Sequence, residues 1–544
     1  TGGQFAKVFT LSVNDINEKE NESLNDLRNE NQEIDKFIQN FEVESSIKST
    51  YEVSLKESLR TSDVSNTNLI DTVFFDESVD QSKDSNTQSL GENPPKVQSV
   101  VSVLEEEVAI SNFFKNRQNA LIRTRESLGL LDMNYIDPPS ANEIKSFVNE
   151  AKKANKNFPN NSSSFMALMP KYVDYNPAIL DLRFTYAKDN VLSKGMDSFL
   201  DLTFISPDGD LKGHRVEVSR ANFKSQLKEL YTQLSRQQSL DISNPSSATR
   251  QLHKILIEPI SQLLQTHSVT TLLISADRGL QAIPFAALND GNHYFGDLYA
   301  FSITPSLALT NLNISSVKKH RLLALGASDF KDLSPLPLVP QELDRIAPSS
   351  KKDLFLDNDF TPSRLLLDGA NPLYDRLHIA THAQFQSGGP SKSKIYSGTK
   401  PIYMNEFSNL RRARQGVPLD LVVLSACRTA IGDPESELGF AGLAIQAGAR
   451  SAIGTLWYVD DVVTSAYFIQ LYKLLEDNIP KAEALQLVRR AFIQGLIKLE
   501  GSEIIGINGE ILLTDLTSSQ KMQVSNGITN PFFWAGIELL GSPW

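Results

Sequence analysis

Two short stretches place a nucleophile and a base within comparable surroundings. One is Leu377-His378-Ile379-Ala380-Thr381-His382-Ala383-Gln384-Phe385, which carries two histidines. The other is Leu421-Val422-Val423-Leu424-Ser425-Ala426-Cys427-Arg428-Thr429-Ala430, which carries the only cysteine of the chain. A free thiol has a pKa near about 8.5 and is only slightly ionised at neutral pH. A histidine within reach can take the thiol proton and later return it to a leaving amine, which is dyad chemistry at an acyl centre. His378 and His382 share one face of an extended strand, so periodicity does not choose between them. Position favours His382, which lies at the carboxyl end of its apolar run, where sites form in open α/β sheets. Alone, Cys427 would read as an inert buried thiol, because free cysteine is among the most buried residue types. Its place beside a histidine motif turns the reading toward catalysis.

The elements that must position these residues follow from the hydrophobic pattern. Short apolar runs at 270–275, 299–304, 322–326, 376–380, 419–424, 451–457 and 534–540 are strand candidates. Several are continuous rather than alternating, as strands buried on both faces are. Further strands are expected at 165–169, 199–205 and 214–218, with Pro207-Asp208-Gly209 turning the last two into a hairpin. Helical spacing appears at 221–235, 247–266, 339–346, 438–447, 461–476 and 480–500. Strands alternating with helices predict a mostly parallel central sheet with helices on both faces. No repeat of 20–50 residues is present, so the chain contains no solenoid of its own.

The chain has 544 residues, enough for two to four units at about 150 residues each. Its net charge of −12 is local: residues 15–92 hold 19 acidic and 7 basic residues, and the remainder is balanced. Neither part offers the basic face that nucleic acid requires. One cysteine excludes an intrachain disulfide and a cysteine-rich zinc site. His214, His253, His267, His293 and His320 make no metal-ligand spacing, so no metal or other cofactor is expected. No apolar run reaches the ~18 residues of a membrane span. The opening Thr1-Gly2-Gly3-Gln4 reads as the start of a mature or trimmed fragment, an expectation that leaves targeting open. Residues 19–98, rich in Asn, Ser, Glu and Asp, read as an acidic disordered linker, either a passive tether or an inhibitory or docking tail. Residues 99–163 read as a helical segment with a stop and restart at Pro138-Pro139-Ser140.

Four motifs make a resemblance specific. HIATHAQF (378–385), VVLSACRTAIGD (422–433), GLAIQAGARSAIGTLWYVDD (442–461) and PFFWAGIELLGSPW (531–544) occur in the order found in the CHAT domain, a member of the caspase-like clan CD cysteine peptidases. Asp277-Arg278-Gly279 and Ile283-Pro284-Phe285-Ala286-Ala287-Leu288 resemble its first half. The resemblance implies a caspase–haemoglobinase-like α/β fold, with 164–330 as the first, pseudo-caspase-like half and 331–544 as the catalytic half. It implies His382 as base, Cys427 as nucleophile, and the backbone N–H groups of Cys427 and Ala383 as oxyanion donors. Many relatives carry Gly after the histidine and Glu after the cysteine, where this chain has Ala383 and Arg428. Residues 4–18 resemble, over a very short stretch, the last strand of cadherin-like repeats, so 1–18 reads as a remnant of an upstream β repeat. That reading points to a secreted or cell-surface parent; without it the expectation is cytoplasmic.

The remaining site expectations concern specificity. Trp457, Asp460 and Asp461 follow the next strand, where caspase-like enzymes build their substrate pocket. An acidic pair there can receive a basic P1 side chain, or cap the helix that follows. Residues 386–399, rich in Gly, Ser and Lys, read as a flap over the cleft or an ordinary surface loop. The loop after Cys427, with Asp433, Glu435 and Glu437, is short, so activity is expected in the uncut chain. The function expected is a cysteine endopeptidase acting on a protein or peptide substrate, regulated by another protein or an upstream domain. The alternative is a catalytically silent caspase-like scaffold for protein–protein interaction.

Overall fold

The computed structural model describes residues 176–186, 192–276, 280–304, 320–384, 393–415, 417–426, 448–457, 460–477 and 479–544, with Ala109, Leu307 and Thr310 as isolated positions. Outside them lie segments 1–18 and 19–98, all of 99–163 but Ala109, the strand expected at 165–169, Asp277-Arg278-Gly279, and 427–447, which contains Cys427 and the helix expected at 438–447.

The strands, in chain order, are β1 (Pro177–Tyr186), β2 (Ser198–Ile205), β3 (Leu211–Val218), β4 (Thr271–Ala276), β5 (Ala300–Thr304), β6 (Leu322–Gly326), β7 (Lys352–Leu356), β8 (Arg376–Ala380), β9 (Ala383–Gln384), β10 (Lys394–Tyr396), β11 (Pro401–Tyr403), β12 (Leu419–Ser425), β13 (Ala449–Thr455), β14 (Lys498–Glu500), β15 (Glu503–Ile505), β16 (Ile511–Leu513) and β17 (Ile537–Gly541). Eleven of them form one sheet in the order β3-β2-β1-β4-β5-β17-β13-β12-β8-β6-β7. Most neighbours run parallel; the exceptions are the β1–β2–β3 meander and the β13–β17 pair. The last strand, β17, sits at the middle of the sheet, parallel to β5 and antiparallel to β13. The segments before and after residue 330 therefore share a single sheet, and β6 belongs with β7 and β8.

The apolar runs explain the central strands. Every residue of β4, β5, β6 and β8 is buried, which requires cover on both faces of the sheet. That cover comes from helices, chiefly α1 (Arg220–Ser235), α2 (Ala248–Leu256), α3 (Val339–Arg345), α4 (Phe407–Ala413), α5 (Asp461–Glu476), α6 (Lys481–Ile493) and α7 (Ser518–Val524). The helix expected over 247–266 is broken at Pro259, where a 3-10 turn over Glu258–Ile260 intervenes, because proline has no N–H to continue the ladder. The helix expected over 480–500 ends at Ile493, with Gly495 at φ +66, and the chain then enters β14. The hairpin at Pro207-Asp208-Gly209 forms as expected, with Gly209 at φ +88. The strand β1 was not foreseen. It carries a buried ion pair, Arg183 bidentate on Asp181 at 2.8 and 3.1 Å, which breaks the apolar run that marks the other central strands. No helix among the described residues is long and apolar enough to cross a membrane.

Candidate active site

The two motifs of interest leave adjacent strands side by side. In the parallel β8–β12 register, Ala380 lies opposite Ser425. Beyond that pair, the Thr381 N–H still donates to the Ser425 carbonyl at 3.2 Å. On the other flank of β12, the Thr455 hydroxyl donates to the Ala426 carbonyl at 2.8 Å. The chain is thus held on both sides up to Ala426, one residue before Cys427, which lies outside the described residues.

His382 projects from the end of β8, half-buried. Its Nε2 is 2.7 Å from the Ser334 carbonyl oxygen. A carbonyl can only accept, so Nε2 carries a proton, and in the neutral imidazole Nδ1 is then the nitrogen with the lone pair. The Phe330 ring lies against the imidazole, centroids 4.9 Å apart. From the main-chain side, the Tyr396 N–H donates to the His382 carbonyl at 3.0 Å. In the β9–β10 ladder, Ala383 is the register partner of Ile395. Hydrogen-bonded and non-hydrogen-bonded pairs alternate along an antiparallel ladder. With Tyr396 bonded to His382, the Ala383 N–H therefore points away from β10, toward the open edge of the sheet that β9 bounds.

His378, the rival base, is placed very differently. It is fully buried, its Nε2 2.9 Å from Glu342 Oε1, with Phe468 and Tyr472 of α5 packed edge-on against its ring. The other oxygen of Glu342 accepts from the Ser465 hydroxyl at 2.7 Å. This is an internal polar cluster on the α5 side of β8.

Asp460 caps α5: its side chain accepts from the Val462 N–H at 3.0 Å. Burial raises its carboxyl pKa despite the N–H bonds. It also lines a cavity of about 410 Å³ with Ser235, Gln237, Gln523 and Phe532. Asp461 turns the other way, accepting from the Leu338 N–H at 3.4 Å. Trp457 is 4 % exposed, its indole N–H donates to the Phe532 carbonyl at 2.9 Å, and Tyr231 meets its ring edge-on. Of the stretch 386–399, residues 393–399 are described. They form β10 and a tight turn, because Ile395 is buried between Ala383 and Ile402. Ser334 and Phe330 were not foreseen; Pro335 and Pro337 mark a stiff loop there, but carbonyl direction has no signature in sequence.

The family of the chain follows from its sequence. The model of the CHAT domain matches residues 246–542, more than half of the chain. The chain belongs to the CHAT domain family. Its architecture is a mostly parallel sheet flanked by helices. Among curated proteins none matches the chain. Solved structures similar to it include the Saccharomyces cerevisiae separase–securin complex (10 % identity, TM-score 0.40, 68 % of this chain and 30 % of that one). The complex of Porphyromonas gingivalis RgpB pro- and mature domains is another (10 % identity, TM-score 0.33, 53 % and 70 %). A third is the Arg-specific cysteine proteinase gingipain R (11 % identity, TM-score 0.33, 59 % and 75 %). The chain thus spans less than a third of the separase chain's length.

One pH prediction arises in this part of the CHAT domain. Burial, and then the neighbouring Glu342 and Asp460, push the Asp461 carboxyl from its ordinary 3.8 up to about 7. Over that interval the folded chain holds a proton that the unfolded chain has released. The contribution is fully present below about pH 4 and is lost as pH rises through about 7. Asp461→Asn keeps an acceptor for the Leu338 N–H and removes the titration. Relative to wild type it is expected to gain on the order of 1–2 kcal/mol between pH 5 and pH 8, allowing for water at this half-buried site. Urea unfolding of both proteins at the two pH values checks this; parallel pH curves would count against it.

Proposed function

We propose that this CHAT domain is a cysteine endopeptidase with Cys427 as nucleophile and His382 as base. The observation that carries the reading is the β8–β12 register. Ala380 and Ser425 are level, and each strand has two residues to go before His382 and Cys427. The tautomer of His382 supports it, because Nδ1 is the nitrogen left to accept a thiol proton. In the proposed reaction, Nδ1 takes the Cys427 proton as sulfur attacks the scissile carbonyl. The tetrahedral oxyanion is received by the N–H groups of Ala383 and Cys427. Collapse to a thioester expels the amine, which leaves with the proton from Nδ1. Water, deprotonated by the same nitrogen, then hydrolyses the thioester and restores the thiol.

The selectivity we propose is for a basic P1 side chain, supported by Asp460 at the wall of the 410 Å³ cavity. A panel of peptide electrophiles with Arg, Lys, Asp, Leu and Met at P1 tests both parts on the full chain. Fastest labelling of Cys427 is expected with Arg, and Asp460→Asn is expected to lower that rate by about 10–100-fold, the span of a lost charged hydrogen bond worth about 1.5–3 kcal/mol. Asn still caps α5, so the helix is kept. In wild type, a thiol closed to every peptide and also to a small alkylating reagent would favour the silent-scaffold reading; one open to the small reagent alone would mark an occluded pocket that awaits an activator.

A further inference from the structure

We infer that Asp357 is a positioning residue that sets the imidazole of His382. The inference takes its functional meaning from the peptidase reading, but its test does not depend on that reading. The Ser334 carbonyl that fixes the His382 tautomer belongs to the loop between β6 and α3. Phe330 and Leu336 rest that loop on the core, whereas Lys331, Asp332, Ser334 and Pro335 at its tip are exposed. Burial cannot hold such a tip in one place, so its hydrogen bonds must. The Leu336 N–H closes the loop on the Ser328 carbonyl at 2.9 Å. Ser328 in turn is clamped by Asp357, whose Oδ1 accepts from its N–H at 2.6 Å and whose two oxygens lie 3.0 and 3.1 Å from its hydroxyl. The Asp329 N–H also points at Oδ1, at 3.3 Å.

Asp357 supports His382 from the opposite side as well. It sits just past β7 in the left-handed region, φ +52. Its carbonyl accepts from the Phe360 N–H, and the Phe360 carbonyl accepts from the Gly398 N–H at 3.0 Å. Gly398 lies so close that a Cβ there would fall 1.7 Å from the Asp357 carbonyl oxygen. Gly398 ends the turn after β10, the strand whose Tyr396 N–H holds the His382 carbonyl. The side chain of Asp357 thus fixes what the imidazole points at, and its main chain seats the strand β10, whose Tyr396 N–H holds the His382 carbonyl.

The test is made on the full chain with 15N-labelled imidazoles. Seven histidines are present, and the His382 signals are those lost in His382→Gln. In wild type they are expected to show one tautomer, protonated at Nε2. Asp357→Gly suits the positive φ and removes the carboxylate; its His382 signals are expected to move toward a mixture of tautomers, and Cys427 labelling to slow by about 10²-fold, the scale of a 1 Å misplacement. Asp357→Asn, which retains one acceptor for the Ser328 N–H and tolerates the left-handed region, is expected to restore most of both. Ser328→Ala gives the same readout through a milder change. Unaltered His382 signals in Asp357→Gly and Ser328→Ala, with any loss confined to thermal stability, would overturn the inference. A tautomer shift in a protein whose wild type no peptide electrophile labels would sustain the positioning role and sink the peptidase reading instead.

Discussion

Cys427→Ala is expected to remove peptide cleavage altogether, and His382→Ala to lower kcat/KM by about 10²–10⁴-fold, the usual worth of a general base. The two act on one proton, so the double variant should be no slower than Cys427→Ala alone. The geometry also names its own control. His378 shares the strand and the residue type but is bonded to Glu342 inside the core. His378→Ala would leave that carboxylate buried with one partner fewer, an error that registers in stability, about 3–5 kcal/mol for a broken buried pair. The expected pattern is therefore a rate defect with normal unfolding for His382→Ala, and an unfolding defect with an unchanged rate per folded molecule for His378→Ala. Cleavage assays beside urea unfolding of the same samples separate the two. A His382→Ala variant that keeps the wild-type rate would exclude this histidine as the base.

How much of this was legible in the sequence depended on what kind of contact was involved. The central strands were readable because burial on both faces imposes an unbroken apolar run, as in Leu421-Val422-Val423-Leu424. That His378 lies within the strand and His382 beyond its end was readable from position. The strand β1 escaped because its buried charges, Asp181 and Arg183, satisfy each other at i and i+2 on one face, and a sequence does not announce that two charges will meet. The strand β10 escaped because one buried residue, Ile395, sits among Ser, Gly and Lys. Ser334 and Asp357 escaped for a different reason. What Ser334 offers His382 is a main-chain oxygen, and Asp357 acts through a carboxylate 28 and 29 residues from the groups it holds. Side-chain type records neither.

Trp457 shows the converse, a residue whose type suggested a ligand and whose surroundings suggest packing. In the core its truncation has a large effect that is independent of any substrate. Trp457→Ala is expected to cost about 3–5 kcal/mol, the range for emptying a buried aromatic site, with part of the loss coming from the Phe532 carbonyl left without its donor. A substrate-contacting tryptophan would instead raise KM and leave unfolding almost unchanged. Gly536 sharpens the distinction, because a Cβ built there would lie 2.6 Å from Cε2 of the indole. Gly536→Ala should therefore destabilise the wild type, by about 1–3 kcal/mol for overpacking, yet be far better tolerated once Trp457→Ala has opened the space. Urea unfolding of the two single variants and the double variant gives the coupling directly. A double variant as unstable as the sum of the singles would mean that the ring and the glycine do not compete for this volume, and the core placement of Trp457 would fall with it.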